Sequence, residues 1–187
     1  MSAGFVTRNF GTRRGAARLA LSYVQLAGGL AAVQHPEAGE VRRLVFVCHG
    51  NICRSAYAEA LARRAGLAAA SFGLSTTTGA PAHPPLAELA HARGVSLDRH
   101  RATAVADFAA RPGDYLVAME VRHLRRLAEL PDLAQLPRGL LGTHARPPLP
   151  HLHDPYLLDP AYMAVCLTRI QDAVARLCLK YPAARAS

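Results

Sequence analysis

An unbroken apolar run, Leu44-Val45-Phe46-Val47, leads without a spacer into Cys48-His49-Gly50-Asn51-Ile52-Cys53-Arg54-Ser55 and then into helix-forming sequence. Consecutive β-prone residues with no polar alternation describe a strand buried on both faces, as in a parallel sheet. After Ser55 the chain carries Ala58, Leu61, Ala62 and Ala65 at helical spacing and stops at Gly66. A strand that turns through one short loop into a helix, at the head of a longer alternation, commits the chain to an α/β fold.

The alternation continues. Residues 69–74 and 114–119 read as strands, with a short fourth one around Leu140-Leu141; residues 55–64, 86–93, 120–130 and 161–179 read as helices. The last helix carries a core stripe of Met163, Leu167, Ile170, Val174 and Leu177. Residues 79–85 form a Pro-rich loop, and residues 146–160 a loop with five prolines. The expected architecture has three layers, a four-stranded parallel sheet flanked by helices, with its site at the C-terminal end of the first strand. There is no internal repeat.

Residues 1–40 form a basic, amphipathic extension ahead of a domain spanning 41–187. Leu19, Tyr23, Leu26 and Leu30 fall on one helical face, Thr12 stands where a cap belongs, and residues 35–40 make a linker. Arg18, Ser22 and Gln25 interrupt the apolar stretch, so a membrane-spanning helix is not expected. The helix is expected to pack on the main domain or on a second subunit, which makes a homodimer or partner contact through it the leading alternative. Membrane-surface contact ranks next and export last. The chain has 22 Lys plus Arg against 13 Asp plus Glu, for a net charge of +9, so its surface attracts anions. No nucleic-acid-binding signature accompanies that charge. Four cysteines in 187 residues do not make a disulfide framework and point to a reducing, cytoplasmic setting. The Ala- and Arg-heavy composition fits a GC-rich bacterial genome.

A cysteine, five residues, then Arg-Ser, set between a strand and a helix N-terminus, is suited to a phosphate dianion. The loop is long enough to turn successive backbone N–H groups inward as a nest for oxygens. The helix N-terminus adds partial positive charge, which favours anions there, phosphate or thiolate alike. Cys48 at the loop's centre can attack phosphorus, and the planar fork of Arg54 can grip two phosphate oxygens, which a lysine cannot do.

The run from Val45 to Ser55, followed by Ala58-Glu59-Ala60-Leu61, Ser71-Phe72-Gly73, His100-Arg101-Ala102, residues 114–119 and Asp154-Pro155-Tyr156, resembles the low-molecular-weight protein tyrosine phosphatases in order and spacing. The resemblance covers roughly residues 43–180. It implies phosphomonoester hydrolysis, phosphotyrosine first, through a phosphocysteine on Cys48, without metal or cofactor, on a phosphorylated protein substrate. It implies a phosphate-binding loop of His49, Gly50, Asn51, Ile52, Cys53, Arg54 and Ser55, with Asn51 and Ser55 holding the loop and hydrogen-bonding the thiolate. Cys53 is implied as a redox partner that guards Cys48; the other reading is a small packed side chain.

A proton must reach the leaving oxygen, and two Asp-Pro pairs compete to supply it. Asp159 has a structural role as cap of the last helix, with Pro160 at its first position. Asp154 has none and precedes Tyr156 as in the family's Asp-Pro-Tyr, so Asp154 is the expected acid. Tyr156 walls the cleft, and Thr77 and Thr78 stand where the family often carries an aromatic. Ala56-Tyr57 departs from the family's Pro and Met or Ile. His144, His151 and His153 read as surface histidines rather than a metal site, and Arg122, Arg125 and Arg126 as a solvated helix face. Two rivals remain. An arsenate reductase of the same fold needs resolving cysteines between Cys53 and Cys166, where there are none. A phosphate-dependent binding module with little turnover has no need of Asp154.

Overall fold

In the computed structural model, which describes residues 3–185, the opening apolar run is the strand β1 (Arg43–Cys48), buried along nearly its whole length. Ahead of it lie two helices, α1 (Ala3–Phe10) and α2 (Arg13–Ala27). Behind it follow α3 (Arg54–Arg64), β2 (Ala69–Gly73), α4 (Pro84–His91), β3 (Asp114–Ala118), α5 (Val121–Ala128), β4 (Arg138–Leu140) and α6 (Pro160–Lys180). The strands form one parallel sheet in the order β2-β1-β3-β4. β1 is therefore central, and its C-terminal end lies where connections diverge to either side, the place where open α/β sheets bind ligands.

Alternate residues of the strands feed two cores, which is why the strands read as continuous apolar runs. Leu44, Phe46, Tyr115 and Val117 face α3, α4 and α6, with Met163, Leu167, Ile170, Val174 and Leu177 as the α6 stripe. Val45, Val47, Phe72, Leu116 and Ala118 face α5 through Val121, Leu124 and Leu127. The architecture is thus three-layered. Arg43 grips the buried carboxylate of Asp114 at both oxygens, each at 2.7 Å, and so locks β1 to β3 at their N-terminal ends.

The N-terminal region departs from its sequence reading in three ways. Thr12 does cap α2, accepting from the Gly15 N–H at 2.9 Å, but the buried face is Gly15, Leu19 and Ser22. Tyr23 and Leu30 are exposed, and Leu30 lies beyond the helix end. Leu19 is buried and Leu26 packs against the core around β3 and α5, as the apolar spacing implies, while Gly15 lets the helix lie close to the His153 ring. Second, α1 packs on both α2 and α6, a helix the apolar pattern does not announce. Third, the chain ahead of the expected linker is laid against the edge of β4: Gln34 N–H donates to the Arg138 carbonyl (2.7 Å), and Gln34 Oε1 accepts from Arg138 N–H (3.1 Å). Among the described residues no helix is long and apolar enough to cross a membrane.

Candidate active site

β1 ends at Cys48 and α3 begins at Arg54, so residues 49–53 close a tight loop over the helix N-terminus. Asn51 makes that turn possible. It takes φ +53°, a left-handed conformation that Asn tolerates better than most residues. Its amide donates to Ser55 Oγ at 2.8 Å and Ser71 Oγ at 2.7 Å, while its Oδ1 accepts from the Thr103 N–H at 2.8 Å. The Asn51 carbonyl meets His100 Nε2 at 2.6 Å, and Ser71 passes the chain on to the Glu59 carboxylate. Gly73, at the end of β2, lets the loop settle this close: a Cβ there would lie 2.8 Å from Thr76 Cγ2 and 2.9 Å from the His49 carbonyl.

At the loop's centre Cys48 Sγ lies 3.0 Å from Ser55 Oγ and accepts from the Asn51 N–H at 3.2 Å, contacts that fix the sulfur in place. Arg54 is completely buried beneath it. One side of its guanidinium is fixed: Nη1 donates to Glu120 Oε1 and to the Leu152 carbonyl, both at 2.7 Å. The other edge is different. Nη2 lies 2.8 Å from Asp154 Oδ2 but is not aligned for a hydrogen bond, and neither Nε nor Nη2 has a hydrogen-bond acceptor among the described residues. Two adjacent buried N–H donors without acceptors, aimed along one edge of a guanidinium, match two oxygens of a tetrahedral anion. Burial works against the charge of Arg54, yet Asp154, Glu120 and Cys48 together raise its pKa above the ordinary guanidinium value.

Cys48, residues 49–53, Ser75, Thr76, Thr77, Ala80, Asp154 and Tyr156 line one cleft of about 370 Å³. Asp154 overhangs the loop from the segment before α6. Asp159 is instead the cap of α6, accepting from the Ala161 N–H at 2.7 Å with Pro160 at the first helical position. Tyr156 is half-exposed at the cleft mouth, its ring 4.9 Å from that of His83 in an edge contact. Thr78 is not a wall of this cleft: its hydroxyl is committed to Asp107 and to the Ala104 N–H, and Ser75 and Thr76 take its place.

Cys53 is buried, and burial first, then the negative charges of Asp154 and Cys48, hold its thiol well above the ordinary cysteine range. Cys166 lies inside α6, its thiol pushed up to about 12 by burial, with its sulfur directed at the His153 carbonyl.

The sequence reading missed Glu120. It occupies the cap position of α5 yet makes no capping bond; its carboxylate turns to Arg54. Burial opposes its charge, but Arg54, His123, His151 and Arg122 hold it well below the usual carboxylate range. The one signal available was its place, directly after β3 at the switch-point end of the sheet. The histidines need correction as well. His151 is buried and His153 half-buried, because the prolines of residues 146–160 wrap the loop over the molecule instead of lifting it into solvent. Burial lowers the pKa of His151 to about 4, and likewise that of His144 to about 4. The three do not converge: His151 and His153 touch each other, while His144 sits against His35.

A family model described as low molecular weight phosphotyrosine protein phosphatase matches residues 43–184. Over 99 residues the chain is 38% identical to the low molecular weight protein-tyrosine-phosphatase Wzb of Salmonella typhimurium, a stretch covering 52% of this chain and 64% of that relative. The chain thus spans under two thirds of that relative's length. In structure it is similar to the tyrosine phosphatase amsI of Erwinia amylovora, with a TM-score of 0.64 and 25% identity over 73% of this chain and 90% of that one. The YwlE arginine phosphatase of Geobacillus stearothermophilus shares the fold at a TM-score of 0.64 and 22% identity, over 74% of this chain and 92% of that one. Helices α1 and α2 lie outside the family match.

Proposed function

From a chain that belongs to the low molecular weight phosphotyrosine protein phosphatase family, we propose an enzyme that hydrolyses phosphomonoesters, phosphotyrosine first among them, by way of a phosphocysteine on Cys48. The observation that carries this reading is the Nε–Nη2 edge of Arg54, two buried donors that have no hydrogen-bond acceptor among the described residues and face the part-exposed Asp154, at the end of the loop that Cys48 opens. Phosphate oxygens take that edge and backbone N–H groups of the loop, while Ser55 and the Asn51 N–H hold the sulfur in place. The thiolate attacks phosphorus from below, the bond from phosphorus to the ester oxygen breaks, and the Asp154 carboxyl gives that oxygen its proton. The Asp154 carboxylate then takes a proton from water as water attacks the phosphocysteine, which releases inorganic phosphate and restores the thiolate.

Tyr156, Ile52 and Thr77 offer a leaving group one aromatic wall, one aliphatic wall and a hydroxyl. A phenol fits that lining better than the short side chains of phosphoserine or phosphothreonine. A thiolate enzyme with three further free cysteines works in a reducing compartment, so we place it in the cytoplasm, acting on a phosphorylated protein. Purified Cys48→Ser and Arg54→Lys proteins should fold and yet lose hydrolysis of an aryl phosphate. A peptide panel carrying phosphotyrosine, phosphoserine and phosphoarginine should show phosphotyrosine turned over fastest. Activity retained in Cys48→Ser sinks the mechanism, and preference for phosphoarginine sinks the substrate.

A further inference from the structure

Helix α2 lies outside the family match, yet it touches the loop that carries Asp154 at several points. Thr12 Oγ lies 3.2 Å from His153 Nε2, one residue before Asp154. Gly15 meets the same ring so closely that a Cβ would come within 2.9 Å of it and 2.1 Å of the Phe10 carbonyl. Tyr23 donates its hydroxyl to the Pro148 carbonyl at 2.5 Å, near the other end of the loop. Nothing in cap chemistry requires these contacts; any Ser, Asp or Asn caps a helix.

From His153 the contacts continue inward. His153 Nδ1 lies 3.4 Å from His151 Nε2, His151 Nδ1 lies 3.6 Å from Glu120 Oε2, and Glu120 Oε1 holds Arg54 at 2.7 Å. One assignment of protons gives every donor in this row a direction. Thr12 Oγ accepts from the Gly15 N–H, which leaves its hydroxyl proton for His153 Nε2. His153 then directs Nδ1–H at His151 Nε2, and His151 directs Nδ1–H at Glu120, both rings neutral. Arg18, one helical turn after Gly15, reaches the same Glu120 carboxylate at 3.7 Å.

We infer that α2 is a working part of the active site, a brace in which Thr12, through His153, positions the Asp154 loop, and through His151 and Glu120 steadies Arg54. Thr12 and His153 are positioning residues; neither reaches the cleft. The inference rests on the phosphatase reading for its catalytic consequence and on the contacts alone for its mechanical one, so two measurements separate them.

Thr12→Val removes the hydroxyl, Thr12→Ser keeps it, and His153→Phe keeps the ring's bulk and leaves the helix cap intact. Thermal melts establish that each protein folds. Thr12→Val and His153→Phe should each lower kcat for phenyl phosphate by about tenfold or more, since small misplacements of a catalytic group are costly. The loss for nitrophenyl phosphate should be several times smaller, because that leaving group needs little help from Asp154. In both variants amide exchange over residues 149–158 should quicken, and Thr12→Ser should match the parent in every measurement. Parental leaving-group dependence together with parental exchange in Thr12→Val and His153→Phe overturns the brace. If the parent protein hydrolyses no phosphomonoester, the phosphatase reading falls and exchange alone decides: quickened exchange supports the brace, unchanged exchange overturns it.

Discussion

Replacing Glu120 by Gln tests how Arg54 is kept charged and in place. Gln keeps an oxygen near Arg54 Nη1 and keeps the volume, but it turns an amide NH2 toward the Arg122 guanidinium, which Oε2 now faces at 2.8 Å, and it removes the negative charge. That charge is completely buried and serves Arg54 at 2.7 Å, with the Arg122 and Arg18 guanidinium groups at 2.8 and 3.7 Å on its other oxygen. Removing one partner of a buried ion pair costs about 3–5 kcal/mol, and Asp154, part-exposed at 2.8 Å from Nη2, is the one carboxylate among the described residues left to compensate Arg54. In a chain of this length about 2–4 °C of melting temperature accompanies each kcal/mol, so the variant should melt about 6–20 °C lower at neutral pH. The pH dependence has a fixed sign. The carboxyl of Glu120 is held below its ordinary value of 4.5 in the folded protein, so its contribution is present above that pH and fades as pH falls. The gap between parent and Glu120→Gln should therefore narrow below about pH 4.5. Melts followed by circular dichroism at a series of pH values measure both quantities. A variant that melts within about 2 °C of the parent at neutral pH would refute the reasoning, since Arg54 would then not depend on this carboxylate.

Two further outcomes follow from the same geometry. Asp154→Asn should lower turnover of an alkyl or phenyl phosphate by about two to four orders of magnitude, while Asp159→Asn stays near the parent because Asn also caps helices; steady-state kinetics on both variants decide, and swapped phenotypes move the acid to Asp159. Peroxide should inactivate the enzyme reversibly with a loss of two hydrogens by intact mass, and Cys53→Ser should stay active yet recover poorly with dithiothreitol; a disulfide mapped to Cys166 or Cys178 would make Cys53 a packing residue only.

What could be read from the sequence was local. Leu44-Val45-Phe46-Val47 announces a buried strand by itself, and the loop from Cys48 to Ser55 carries its own turn chemistry in Gly50 and Asn51. Asp159-Pro160 announces a helix start for the same reason, and its cap forms as the dipeptide implies. What could not be read depends on partners far along the chain. Glu120 looks like the first residue of a basic helix until Arg54, 66 positions earlier, is found against it. Of the apolar face read on α2, Leu19 and Leu26 pack inward, but Tyr23 and Leu30 are exposed, and Gly15 and Ser22 join the buried face although no apolar pattern marks them. The hydroxyls of Thr76, Thr77 and Thr78 look equivalent in sequence; the backbone turns the last of them toward Asp107 and away from the cleft.

In the proposed reaction the two sides of Arg54 give the two carboxylates different tasks. Nη1 has acceptors that belong to the scaffold, Glu120 and the Leu152 carbonyl, so the guanidinium is oriented before any substrate arrives. A preorganised charge loses no energy to reorientation during reaction, which is the main way such a site lowers a barrier. Asp154 is different. It is part-exposed, it lies on a loop, and it faces Nη2 without hydrogen-bond alignment. A phosphate dianion that takes the Nε and Nη2 edge therefore displaces Asp154 from its cation and gives it an anion for a neighbour. In the proposed reaction that leaves the Asp154 carboxyl free to face the leaving oxygen. Glu120, shielded from substrate, keeps Arg54 neutralised throughout. On the proposed mechanism, then, one carboxylate holds the clamp still and the other is freed by the phosphate the clamp receives.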